Sequence, residues 1–138
     1  MRIIGIDYGD ARIGIAMSDP FGWTAQAVET ISWKDKLQKP IERILQLIKE
    51  YNVEKIVIGF PKNMNGTLGP RAEKTEEFIE LLMRKINLEI IKWDERLSSV
   101  AANRTMHEIG IKTSKKKGIV DQIAAVYILQ GYLDSISK

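Results

Sequence analysis

The sequence predicts an α/β fold: a mixed sheet with helices on both faces. Two observations carry that reading. "RIIGIDY" (Arg2–Tyr8) and "RIGIAMS" (Arg12–Ser18) are isoleucine-rich runs of strand length on either side of Gly9-Asp10, a pair that turns one strand back along another. Further along, apolar residues at helical spacing alternate with short β-branched runs, the order expected of parallel β-α-β units.

A third strand falls within Thr24–Ile31. Pro40 stands where a helix can begin, because the first helical position has no use for the N–H that proline lacks. Ile41, Ile44, Leu45 and Ile48 follow at helical spacing. "KIVIGF" (Lys55–Phe60) reads as a buried strand. After a glycine-containing loop, Pro70 opens a second helix with Thr75, Phe78, Ile79, Leu82 and Ile86 on its inner face. "LEIIKW" (Leu88–Trp93) is the next strand. Ser98 or Ser99 caps a third helix that Gly110 stops. A last helix is expected over Ile119–Ile136. No repeat or linker divides the chain, so one domain is expected over residues 1–138.

At 138 residues the chain is long enough to bury a stable core unaided, and 44% hydrophobic with 28% charged residues is an ordinary globular balance. The absence of cysteine excludes disulfides and thiolate metal sites. A single histidine argues against a histidine-built zinc site. No basic-then-apolar leader opens the chain and no apolar run approaches the roughly 20 residues that span a bilayer, so a cytoplasmic protein with no membrane partner is expected. The net charge of +3 permits a polyanionic partner. Much of it gathers in "KTSKKKG" (Lys112–Gly118), which by itself reads as a solvated loop.

Three acidic positions stand out. Asp7 ends an apolar strand, Asp94 and Glu95 follow the strand Leu88–Trp93, and Asp121 falls in the first turn of the last expected helix. Asp121 shares a helical face with Ala124, Ala125 and Ile128, so its carboxylate continues a stripe that presses on the sheet. An acid that only favours the helix dipole has no need to face inward. Each acid also has a bland reading: turn amides for Asp7, solvent or Arg96 for Glu95. Gathered at one sheet end, however, two bare carboxylates about 4 Å apart repel by about 4 kcal/mol at an effective dielectric of 20. Such a cluster takes up protons or cations, and oxygen-only ligands suit Mg²⁺ or Mn²⁺. A carboxylate-held metal beside Lys115, Lys116 and Lys117 suits a phosphodiester backbone.

"GIDYGDARIGIAMSD", "GFPKNMNGTLGPRA", "DERLSS" and "KGIVDQIAAVYILQ", in this order along nearly the whole chain, resemble the YqgF family. Its members are small bacterial proteins described as pre-16S rRNA processing nucleases and as Holliday-junction-resolvase-like proteins. The resemblance implies an RNase H-like fold with a five-stranded sheet and the first strand central. It also implies a metal-binding catalytic site of Asp7, Glu95 and Asp121. Asp94 is left open as a further ligand.

The loop from Phe60 to Ala72 belongs to the same pattern. Asn63, Asn65 and Thr67 can donate to phosphates and Arg71 can neutralise one at a helix start. Gly66, Gly69 and Pro70 equally serve turn chemistry. Arg12 and Arg96 are candidates for phosphate or carboxylate partners. His107 reads as a surface or capping residue, Met64 and Met106 as gap fillers, and the three tryptophans as core or sheet-edge packing.

The leading expectation is a metal-dependent nuclease acting on structured RNA, a ribosomal RNA precursor. Holliday-junction resolution on branched DNA is the alternative; it needs paired symmetric cuts, which a two-fold dimer supplies naturally. A silent RNA-binding protein is a third reading. The fourth, the phosphate-binding hairpin of actin-like ATPases and sugar kinases, rests on "DYGDARIG", but one short domain does not enclose a nucleotide; Gly9 and Gly14 also have the spacing of P-loop glycines, but no Lys-Ser/Thr follows and Gly14 lies in a strand. Oligomeric state, monomer or homodimer, is not written in the sequence.

Overall fold

The structure, a computed structural model, describes residues 2–61, 69–94 and 113–136, with the side chains of the last segment from Ile119 onward. Its elements are β1 (Arg2–Tyr8), β2 (Arg12–Ser18), β3 (Ala25–Ser32), α1 (Gln38–Glu50), β4 (Val53–Phe60), α2 (Pro70–Met83), β5 (Glu89–Asp94) and α3 (Thr113–Ile136). The sheet order is β3-β2-β1-β4-β5. The β1/β2 and β2/β3 pairs are antiparallel, and the β1/β4 and β4/β5 pairs are parallel. The mixed five-stranded sheet with a central first strand is therefore present.

The isoleucine density of β1 and β2 follows from cover on both faces. On one face Ile4, Ile6, Ile13, Ile15, Ile56 and Ile58 pack with Ile44 and Leu47 of α1 and Phe78 and Leu82 of α2. On the other, Ile3, Ala16 and Val57 pack with Ala125, Ile128, Leu129 and Leu133 of α3. Where α3 crosses β1 and β2 the sheet carries glycine, at Gly5 and Gly14. A Cβ at Gly5 would lie 2.7 Å from the Cβ of Leu129, so α3 lies close on β1, as Ala124 and Ala125 led one to expect.

Several expectations shift. α1 begins at Gln38, and Pro40 is its third residue, still within the first turn, where N–H groups lack helical partners. α2 does open at Pro70, with Ala72, Thr75, Phe78, Ile79 and Leu82 buried. Ile86 lies past its last helical residue and packs half-buried on the same core. The last helix begins at Thr113 rather than Ile119, so the basic stretch is helical from Thr113, not a loop. Lysine is a good helix former, and apolar periodicity marks only those turns that press on something. Trp33 and Trp93 are packed as expected, but Trp23 is 69% exposed beside Phe21 on the β2–β3 turn. The helix expected between Ser98 and Gly110 lies outside the described residues, as do His107, Met64 and Met106. No described helix is long and apolar enough to cross a membrane.

Candidate active site

Because β1, β4 and β5 run parallel, their carboxyl ends share one edge of the sheet, the place where open α/β sheets present their ligand sites. Asp7 stands at that edge. It pairs directly with Gly14 across the antiparallel β1/β2 ladder, and directly opposed residues project to the same face. The face is identified by Gly14 itself: a Cβ there would lie 2.0 Å from the main-chain carbonyl oxygen of Asp121. The backbone of α3 thus crosses β2 at Asp121, on the face to which Asp7 points. The first and last of the expected acids therefore lie on the same face of the sheet.

Asp121 lies more than two turns inside α3, not in its first turn, which carries no acid. The helix dipole fades within the first turn, so it does not explain an acid at this depth. Burial pushes the Asp121 carboxyl above the usual carboxylate range, and its hydrogen bond and charge contact with Arg12 work against that rise. Arg12 Nε donates to Asp121 Oδ2 at 2.8 Å, with side chains 36% and 20% exposed respectively.

Arg12 is presented by a tightly held turn. The Trp33 main-chain N–H donates to Ala11 O at 3.0 Å, and its indole Nε1–H donates to Gly9 O at 2.9 Å. Trp33 in turn packs on Tyr8, which stacks on Phe78. Gly9 is needed here for space, since a Cβ would lie 2.6 Å from the Arg12 carbonyl oxygen, and not for a left-handed backbone. Replacing Trp33 with Phe keeps the ring packing and removes one donor. It should lower stability by about 1 kcal/mol, the net worth of an ordinary hydrogen bond, as read from urea unfolding. An unchanged midpoint would mean that the indole N–H does not hold the turn.

Asp94 does not join Asp7 and Asp121. Its neighbour in the β4/β5 ladder is Phe60, which sits in the α1–α2 core, and Lys92, two residues earlier on β5, pairs with Glu76 of α2. Strand alternation therefore puts Asp94 on the α2 face. Glu95, Arg96, Asn63, Asn65 and Thr67 lie outside the described residues. Arg71 is exposed in the first turn of α2. Lys115, Lys116 and Lys117 are in the opening turns of α3, with the Lys117 backbone one turn before Asp121.

No group of three potential ligands occurs among the described residues. The two acids that are described nonetheless suit a hard divalent ion: the donors are carboxylate oxygens only, and Asp121 already holds a cationic group in Arg12. Sequence reasoning missed the part played by Gly14. The available signal was a glycine inside an otherwise apolar strand, which marks a close backbone approach. Trp33 as the clamp on the Arg12 turn had no sequence signal.

Sheet order and the helix laid over the central strands define an RNase H-like fold, the architecture of resolvases and nucleases. T. thermophilus RuvC in complex with Holliday junction substrate is similar with a TM-score of 0.57 at 13% identity, covering 98% of this chain and 95% of that one. The Fowlpox virus Holliday junction resolvase gives 0.57 at 20% identity, covering 99% of each chain. The large terminase nuclease from thermophilic phage G20c gives 0.55 at 12% identity, covering 92% and 81%. Residues 1–135 match the family model described as "RuvX: Holliday junction resolvase", and the chain belongs to that family of phosphodiester-cleaving nucleases. A relative from Acetivibrio thermocellus is 66% identical, covering 100% of this chain and 99% of the relative. One from Ruminiclostridium cellulolyticum is 63% identical, covering 99% and 96%. Both carry the name "Putative pre-16S rRNA nuclease".

Proposed function

We propose that residues 1–138 form a single cytoplasmic nuclease domain that uses Mg²⁺ or Mn²⁺ to hydrolyse phosphodiester bonds in structured RNA, maturing the 5′ end of pre-16S rRNA. The observation that supports this best is the placement of Asp7 and Asp121 on one sheet face, where α3 approaches Gly14. Asp7, Asp121 and Glu95 would hold the ions. Bound there, the ions supply Lewis acidity for the scissile phosphate and lower the pKa of an attacking water. The protein's own part is positional. The apolar β1 fixes Asp7, α3 fixes Asp121, and the partial burial of Asp121 keeps water from screening it. Arg12, Arg71, Arg96 and the lysines at 115–117, with Asn63, Asn65 and Thr67, would hold phosphates along the strand.

The test is a matched cleavage assay on a labelled precursor-rRNA fragment and a labelled four-way DNA junction, each with Mg²⁺, Mn²⁺ or chelator. Metal-dependent cutting of the RNA is the expected result. Cutting that persists in chelator sinks the metal mechanism. RNA bound but never cut, with or without ribosomal particles, supports the binding-only reading.

The family's description favours a second reading, resolution of Holliday junctions. The same carboxylates would act on branched DNA, and paired symmetric cuts require a dimer. Preferential cutting of the junction by a dimer in sedimentation would establish it, and a strict monomer would count against it.

A further inference from the structure

We propose that Arg12 is the resident counter-ion of Asp121, that a divalent cation displaces it, and that the released guanidinium then grips a phosphate of the nucleic acid. The inference rests on the nuclease reading for its ligands, but its test uses binding and not cleavage.

Three observations carry it. First, Arg12 meets Asp121 through Nε alone, at 2.8 Å, rather than through the two-point fork that a guanidinium offers a carboxylate. Among the described residues no hydrogen bond engages the terminal amino groups, and the guanidinium fork also matches the geometry of a phosphate. Second, the main chain of the turn is pinned by Trp33 at Gly9 and Ala11, whereas the Arg12 side chain is 36% exposed. The base of the arm is fixed and the arm can swing. Third, Asp121 is the less exposed partner, at 20%, on the face that Asp7 shares. A guanidinium and a divalent ion on one half-buried carboxylate repel, so the two compete for it.

The consequence is a linkage. Metal binding frees a phosphate contact, and phosphate binding removes a competitor for the metal, so each ligand tightens the other by the same factor.

The first arm titrates Mn²⁺ into metal-free protein and reads the free-ion EPR signal. Arg12→Gln should bind Mn²⁺ about tenfold more tightly, because a unit charge next to the ion has gone. Arg12→Lys, which keeps a cation there, should stay near wild type. A purely structural Arg12 would give equal or weaker binding in Arg12→Gln, and that result overturns the proposal. So would equal tightening in Arg12→Lys.

The second arm needs no variant: saturating Mg²⁺ should move the Nε–H proton resonance of Arg12, and an unmoved resonance overturns the displacement. The third arm measures binding of a single-stranded RNA oligonucleotide. Ca²⁺ should tighten it for wild type, and Arg12→Gln should lose that gain together with about one phosphate contact in the salt dependence. Retention of the full Ca²⁺-dependent gain overturns the phosphate step. A protein that cuts no RNA could still pass or fail each arm.

Discussion

Alanine at position 14 should lower cleavage about a hundredfold and stability by about 1–3 kcal/mol or more, the range for an overpacked core. The added Cβ would lie 2.0 Å from the Asp121 carbonyl oxygen, 2.4 Å from its carbonyl carbon and 3.0 Å from the Gln122 nitrogen. All three are main-chain atoms, so no rotamer change relieves the clash. α3 must lift from β2 by more than an ångström to restore van der Waals contact. The lift is resisted further along, where Gly5 sits against Leu129. Asp121 rides on the segment that moves, while Asp7 stays on β1. A displacement of about 1 Å between reacting groups is worth about 10² in rate. Gly22→Ala is the control. Gly22 has open space around its Cβ but a φ of 75°, on the β2–β3 turn at the opposite end of the sheet. It should lose some stability and leave the rate per folded molecule unchanged. A Gly14→Ala protein that cuts like wild type would mean that the Asp7–Asp121 arrangement is not the reactive one.

The same glycine shows where sequence reasoning stopped. The strands were legible because β1, β2 and β4 are buried on both faces and read as isoleucine and valine runs. α2 was legible because Pro70 marks its first residue and its inner face repeats at helical spacing. The inward direction of Asp121 was legible because Ala124, Ala125 and Ile128 share its face and are buried. The opening turns of α3 were not legible, since a lysine run carries no apolar period, and Asp121 was therefore placed in a first turn that lies two turns earlier. The face of Asp94 needed the β4/β5 register, and the Arg12 contact needed residues 109 apart to be brought together. Register and long-range contact are properties of the assembled sheet. Trp23 fails for a different reason: tryptophan is buried on average, so its exposure on a turn is not written in its type.

Asp121→Asn should cripple cleavage without destabilising the metal-free protein. Several kcal/mol of transition-state stabilisation depend on carboxylates that hold the ions, so cleavage should fall about 10²–10³-fold, and Asp7→Asn should do the same. The stability effect has the opposite sign. Burial raises the Asp121 carboxyl by more than Arg12 lowers it. The folded protein then keeps its proton to a higher pH than the unfolded chain does. The stability this contributes is fully present below the unfolded value and is lost as pH rises through the raised folded one. At neutral pH the bare carboxylate is thus a net destabilising charge. Asparagine removes it and leaves Arg12 exposed enough to be hydrated, so the melting midpoint in chelator should rise. Added Mg²⁺ should raise the wild-type midpoint and leave that of Asp121→Asn nearly unmoved. A carboxylate kept only for the Arg12 ion pair would behave otherwise: its loss would lower the midpoint and spare the rate. A lower midpoint in chelator with wild-type cleavage would make Asp121 structural, whereas a higher midpoint with cleavage lost would mark an acid retained for its chemistry at the expense of the fold.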